Sequence, residues 1–237
     1  MTELILYDWP YAGLVLAVLL LAFLEVDRRR HAETFSDPAT VLGYLWPIYL
    51  VHQFEEHGID LFGRRFHFVH DLCGVLGRSV NECPADAGFI FAVNPGTCWI
   101  AFGIALVTRR SRPELAVAAW GIPAVNFFSH IGAALRSGAY NSGTLTCLIL
   151  FLPGVVWLLL SLFRAGWPKG KTFSLLLVSG VVLHIVLVAS LVIALSGAIS
   201  SGLLYAINVL NGFTPLVVAR LITLRPTADA LRPPAPL

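Results

Sequence analysis

Charge is the scarcest property of this sequence. Asp, Glu, Lys and Arg make up 13% of its 237 residues, against about 25% in soluble domains. With a mean hydropathy of +0.78 and 57% hydrophobic residues, that deficit excludes a water-soluble globular domain. The formal net charge of +2 is small, and basic stripes with interleaved aromatics are missing, so a nucleic-acid partner is not indicated. The four cysteines, Cys73, Cys83, Cys98 and Cys147, form no CxxC pair, which argues against a cysteine zinc site. Met1 to Pro10 contains no Lys or Arg. The basic region of a secretory signal peptide is therefore lacking, and the first apolar segment is expected to stay in the mature protein.

Long apolar runs fill the chain instead. A membrane span needs about 20 apolar residues, and seven segments qualify, at 10–26, 39–57, 86–108, 114–135, 143–163, 172–195 and 200–222. The turn at 196–201 is weak and could be re-entrant. With the N-terminus outside, twelve of the sixteen Lys and Arg residues fall on the inner side: Arg28–Arg30, Arg109, Arg110, Arg112, Arg164, Lys169, Lys171, Arg220, Arg225 and Arg232. Only Arg64, Arg65, Arg78 and Arg136 fall outside, a positive-inside bias. The expected fold is all-α: a polytopic transmembrane helix bundle of about seven spans, N-terminus out and C-terminus in. It forms a single domain over residues 1–225, with an interfacial or extramembrane segment at 58–85. The Pro- and Ala-rich tail, 226–237, is expected to be disordered. The expected location is a bacterial-type plasma membrane. If the 58–85 segment faces an oxidising compartment, Cys73 and Cys83 could bridge.

His52-Gln53-Phe54-Glu55-Glu56-His57 lies in or at the end of the second apolar segment. Ionisable groups inside a membrane are costly and mark functional sites. On a helix His52, Glu55 and Glu56 stand at i, i+3 and i+4 and share one face, whereas His57 lies further round. Asn126 and His130 are likewise four apart. Counting 1.5 Å per residue puts His52, Asn94, Asn126, His130, His184, Asn208 and Asn211 in one layer of the outer half. Several of these have plainer readings. His184 reads as a buried histidine bonded to a carbonyl, His67 and His70 as interfacial residues, and Asn208 and Asn211 as helix–helix hydrogen bonders. Asn94-Pro95-Gly96 reads as a kink, and Glu25 as a solvated helix-end charge.

These residues resemble the HXXEE family of small integral membrane proteins. The first motif is His52-Gln53-Phe54-Glu55-Glu56, the second Asn126 with His130, and the third Phe151-Leu152-Pro153-Gly154, with Phe where Tyr is usual. That departure removes a phenolic hydroxyl. The resemblance covers roughly residues 40–160. It supports the site and implies no reaction.

The residue types point first to a metal-dependent membrane enzyme, with the lipid bilayer around it, acting on a small apolar or lipid-like substrate. His52 and His130 are candidate ligands through neutral imidazole nitrogen. One of Glu55 and Glu56 would join them, and the other would act as general base. Asn126 is placed to orient a ligand or the substrate; His57, His67, His70 and His184 form a second tier of ligands. Such a set suits a divalent metal, zinc or iron, without distinguishing them. A hydrolase is favoured slightly over a di-iron oxidoreductase. The alternatives are a metal-free cyclase or isomerase using a protonated Glu, and a transporter or proton relay.

Overall fold

Proline sets the internal punctuation of the helices in the computed structural model, which describes residues 2–222. A proline inside a helix cannot donate to the carbonyl four residues back. Pro47 withholds the bond to Gly43, and there the segment divides into α2 (Pro38–Gly43) and α3 (Leu45–Gln53). Pro95 lies in a π-helical turn, Asn94–Cys98, between α5 (Ala87–Val93) and α6 (Trp99–Thr108). Pro123 follows the join of α7 (Pro113–Ala119) to α8 (Gly121–Ser137). Pro153 follows a second π turn, Cys147–Phe151, which links the short α9 (Thr144–Thr146) to α10 (Leu152–Arg164). Pro215 sits where α12 (Ser201–Asn211) meets α13 (Thr214–Leu221). By contrast α1 (Thr2–Arg30) tolerates Pro10 and ends on Arg28, Arg29 and Arg30, cations that suit a helix C-terminus. α11 (Lys169–Leu195) is unbroken.

The chain is all-helical among the described residues, apart from one isolated bridge between Ile59 and Arg65. Among the described residues, five helical stretches are long and apolar enough to cross a membrane: Ile5–Arg30, Ala87–Thr108, Pro113–Ser137, Thr144–Arg164 and Lys169–Leu195. The expected seventh span is α12 with α13, bent by 42°. The expected second span is interrupted between α2 and α3 and closes in a third π turn, Phe54–Gly58. The tail expected to be disordered, 226–237, lies outside the described residues.

α8 and α11 cross backbone to backbone. A Cβ on Gly121 would lie 2.2 Å from the Leu176 carbonyl oxygen, and one on Gly180 would lie 2.1 Å from that of Gly121. Small residues permit such approach in membranes, and Ser179 adds a hydrogen bond to the Ala118 carbonyl at 2.7 Å. This contact fixes the helix that carries Asn126 and His130. Asn208 and Asn211 bond α12 to α11 through Ser190 and the Leu183 carbonyl, both at 2.8 Å. At the far end Asp27 of α1 receives Arg109 and Arg110, and Glu33 receives Arg110 at 2.9 Å. Glu25 pairs with Arg28 and Arg29 of its own helix.

The segment after Gly58 folds over one end of the bundle. It carries α4 (Phe68–Val75), and Cys73 and Cys83 are joined by a disulfide. Asp60 is its hub. Burial opposes the Asp60 charge, but the Arg64 and Phe62 N–H groups, the Arg64 guanidinium and the Ser142 hydroxyl outweigh it and hold the carboxyl below its ordinary range. The folded value lies below the unfolded one, so this stabilisation is complete above an aspartate pKa of about 3.9 and is lost as pH falls through the folded value. Proteolysis of the 58–85 segment should therefore accelerate on acidification below about pH 4. Asp60→Asn should already be cleaved fast at neutral pH and show a flat profile there. A wild-type-like profile in Asp60→Asn would remove Asp60 from this role.

Candidate functional site

Three π turns each supply side chains to one place: Glu56 and His57, Asn94, and Cys147 with Phe151. Such turns, with i→i+5 bonds, recur at functional sites. In the Phe54–Gly58 turn the Ile59 N–H bonds the Phe54 carbonyl at 3.0 Å. This wider turn changes the faces expected from α-helical spacing. Glu56 stays over His52. His57, expected on a different face, turns in beside them, while Glu55, expected on the His52 face, turns aside.

Glu56 is the centre. Its Oε1 lies 3.0 Å from His130 Nε2 and 3.3 Å from His52 Nε2, and its Oε2 lies 3.4 Å from His57 Nε2. All four side chains are at most 5% exposed. The His52 and His130 rings stand edge to face with centroids 5.1 Å apart. Phe151 packs on His52 at 4.2 Å, and Trp9, Phe66 and Phe68 enclose His57.

The surrounding hydrogen bonds fix which nitrogen of each ring carries the proton. The Trp99 indole can only donate, and it donates to Gln53 Oε1 at 2.7 Å. Gln53 must then present its amide N–H to Asn94 Oδ1, also at 2.7 Å. Asn94 Nδ2 therefore faces the Ile90 carbonyl and, at 3.4 Å, His57 Nε2. His57 Nε2 is an acceptor. Its Nδ1 has no partner among the described residues. In His130, Nδ1 lies 2.8 Å from Asn141 Oδ1, and the Asn141 amide donates to the His130 carbonyl at 3.1 Å. Nδ1 must donate, so Nε2 is an acceptor when the ring is neutral and a second donor, to Glu56 Oε1, when it is protonated. For His52, the Thr146 hydroxyl gives its single proton to Glu55, so it accepts from Nδ1 at 2.8 Å. His52 Nε2 then accepts from Asn126 Nδ2 at 3.1 Å. Three ring Nε2 atoms thus face one carboxylate: those of His52 and His57 also meet the Asn126 and Asn94 amides, and that of His130 meets Glu56 Oε1 directly at 3.0 Å.

Glu55 has a separate task. Its carboxylate accepts from the Leu145 N–H (3.0 Å), the Thr146 N–H (2.7 Å), the Tyr140 hydroxyl (2.7 Å) and the Thr146 hydroxyl. These are the free donors at the start of α9, where an anion is favoured. Burial and the neighbouring Glu55 charge push the Tyr140 phenol up, which keeps it a donor. With four donors Glu55 has no lone pair left for the cluster, and through Thr146 it sets the tautomer of His52.

The other expected residues are distributed as follows. Asn126 lies on the cluster. His184 bonds the Gly180 carbonyl of its own helix through Nδ1 at 2.7 Å and lines a cavity of about 100 Å³ with Glu56, His57, Asn94 and Asn126. His67 and His70 stack at 4.8 Å on α4 and group with Asp71, away from Glu56. The sequence reading missed Gln53, Thr146, Asn141 and Cys147. Cys147 Sγ is 4.0 Å from His52 Nδ1, and its sulfur lies within 4.8 Å of ring nitrogens of His52 and His130. It approaches the protonated side of His52, so it faces no lone pair there.

No curated protein and no solved structure matches the chain. Residues 44–158, which contain the His52-Gln53-Phe54-Glu55-Glu56 motif, Asn126 and His130, match the family model described as "Protein of unknown function with HXXEE motif", and by this segment the chain belongs to the HXXEE family.

Proposed function

We propose that the chain is a metal-dependent integral membrane enzyme acting on an apolar or lipid-like substrate. The observation that carries this reading is the convergence of three ring Nε2 atoms and the Glu56 carboxylate in a buried space. Imidazole nitrogens and a carboxylate are the usual protein ligands of a divalent cation such as zinc. The Glu56 oxygens lie 3.0–3.4 Å from the three ring nitrogens, a spacing that suits atoms sharing one ion at about 2.1 Å each; the ligand atoms that all lie within 4.8 Å of one another are those of His52, His130 and Cys147. His52, His130, His57 and Glu56 would hold it. When bound, such an ion supplies Lewis acidity and a water of lowered pKa. Asn126 and Asn94 now cap two of the lone pairs; with those lone pairs occupied, their N–H groups become free to hold a substrate oxygen in the adjoining cavity.

The disulfide in the segment covering the site favours an oxidising compartment on that side, and so an N-terminus outside and a C-terminus inside, with seven crossings. A redox iron centre there would need electrons delivered to that face. Zinc-type hydrolysis is therefore preferred to oxidation.

Elemental analysis of a preparation purified without chelator tests this. About one divalent ion per chain is expected, absent in His52→Ala and His130→Ala. A membrane-impermeant chelator applied from outside to spheroplasts should strip it. A stoichiometrically metal-free wild type would sink the metal reading, and retention against the outside chelator would reverse the orientation. A metal-free result would promote the second reading, acid catalysis. What favours that one is the direct His130–Glu56 approach of 3.0 Å, a distance suited to a shared proton.

A further inference from the structure

The segment that covers the cluster carries a second group of metal-binding side chains. His67, His70 and Asp71 stand at i, i+3 and i+4 around the first turn of α4, so they share one face. The His67 and His70 rings are stacked, with centroids 4.8 Å apart, and His67 Nε2 lies 3.5 Å from Asp71 Oδ1. One ligand atom from each of the three residues lies within 4.8 Å of the others. Atoms that share an ion at about 2.1 Å each stand at most about 4.2 Å apart. His70 is exposed, and a turn of its ring closes the difference.

Two imidazoles and one carboxylate suit zinc and similar divalent ions, whereas magnesium and calcium take oxygen ligands. Three protein ligands leave a position for water. Beyond the approach to Asp71, neither ring is braced by a hydrogen bond among the described residues. Lack of such bracing weakens metal binding by about 10–100-fold, so an ion here would exchange, unlike one held in the buried cluster. The neighbouring cation Arg64 is paired with Asp60 at 2.7 Å. Asp71 also reaches inward. Its Oδ2 accepts the Ser142 N–H at 2.8 Å, and a Cβ on the next residue, Gly143, would touch His130, His52 and Glu56. An ion on Oδ1 would therefore join α4 to the loop packed on the cluster. Phe66 and Phe68, on either side of His67, already pack on His57.

We propose that His67, His70 and Asp71 form a second, exchangeable site for zinc or a similar divalent cation, and that an ion there clamps α4 onto the Ser142–Gly143 loop over the cluster. The site is separate from the buried one and stands whatever Glu56 holds.

The test is zinc binding to the full chain, without an oligohistidine tag, in phosphatidylcholine nanodiscs. Zinc chloride is titrated by equilibrium dialysis after gel filtration, with empty nanodiscs as the blank. About one zinc per chain should be taken up beyond any ion retained through gel filtration, as three ligands allow. His70→Ala, a change at an exposed position, should weaken that uptake more than about 10-fold and keep the retained ion. Magnesium chloride should not compete. Zinc should also slow proteolysis of the 58–85 segment several-fold in the wild type and leave it unchanged in His70→Ala. No uptake beyond the retained ion, or uptake unchanged in His70→Ala, overturns the site. Uptake through His70 without protection from proteolysis overturns the clamp. A chain that retains no ion through gel filtration, yet takes up zinc through His70, overturns the metal reading of the Glu56 cluster and leaves this site standing.

Discussion

Glu56→Gln should leave the bundle folded and empty of metal, whereas Glu55→Gln should damage the fold and spare the metal. The two residues are neighbours of the same type, so the contrast comes from their surroundings alone. Glu56 faces three imidazole nitrogens, at 3.0, 3.3 and 3.4 Å. A glutamine amide can donate to a neutral His130 Nε2, so the metal-free protein should stay within about 1 kcal/mol of the parent, the usual net value of one hydrogen bond. The anionic ligand is lost, however, and affinity for a divalent ion should fall more than about 100-fold, beyond the range seen when only a supporting partner is removed. Glu55 faces four donors. There an amide sets its own N–H groups against N–H and O–H groups. The expected cost is about 2–4 kcal/mol, since each orphaned buried donor costs about 1–3 kcal/mol. Thermal unfolding in nanodiscs combined with elemental analysis reads both effects. Stoichiometric metal in Glu56→Gln would remove Glu56 from the ligand set. Full stability of Glu55→Gln would remove the account of the α9 start.

Much of this arrangement could be read from spacing. His52 to Glu56 and Asn126 to His130 are both four residues apart, and helical geometry alone puts each pair on one face. The apolar runs gave the helices. The π turns could not be read in the same way. Pro95 and Pro153 mark two of them after the fact, since each removes an N–H from the ladder, but Phe54-Glu55-Glu56-His57-Gly58 contains no proline and no sign of an i→i+5 turn. That single extra residue brings His57 in and sends Glu55 to α9. The partners that fix the tautomers were hidden for another reason. Thr146 and Asn141 are ordinary polar residues near a loop, and only the fold brings them to His52 and His130. Gln53 was visible inside the motif. Its link to Trp99 and Asn94 spans more than 40 residues of sequence, and no local pattern encodes that. Cys73 and Cys83 left bridging open, because only their Cα separation of 5.8 Å decides it.

Gly143→Ala should be among the most damaging single-methyl additions in the chain, although the residue lies in a loop outside every motif. Two effects act together. Gly143 has φ +96°, where a side chain is strained by about 1–2 kcal/mol. Its Cβ would also meet His130 Cε1 at 2.6 Å, His52 Cε1 at 2.9 Å and Glu56 Cγ at 3.0 Å. Those three atoms belong to the cluster itself, and overpacking of this kind costs about 1–3 kcal/mol. The combined loss of stability should be roughly 2–5 kcal/mol. Metal affinity should fall with it, because the methyl pushes His52 and His130 apart. Gly138→Ala is the matched control. Gly138 also has positive φ, +64°, but a Cβ there meets nothing within 4 Å, so only the strain remains and metal content should not change. Thermal unfolding and elemental analysis of the two variants side by side separate backbone strain from intrusion into the site. If the Gly143 and Gly138 variants lose the same stability and both keep their metal, the 138–143 loop does not press on the cluster, and the packing of His52 against His130 described above is wrong.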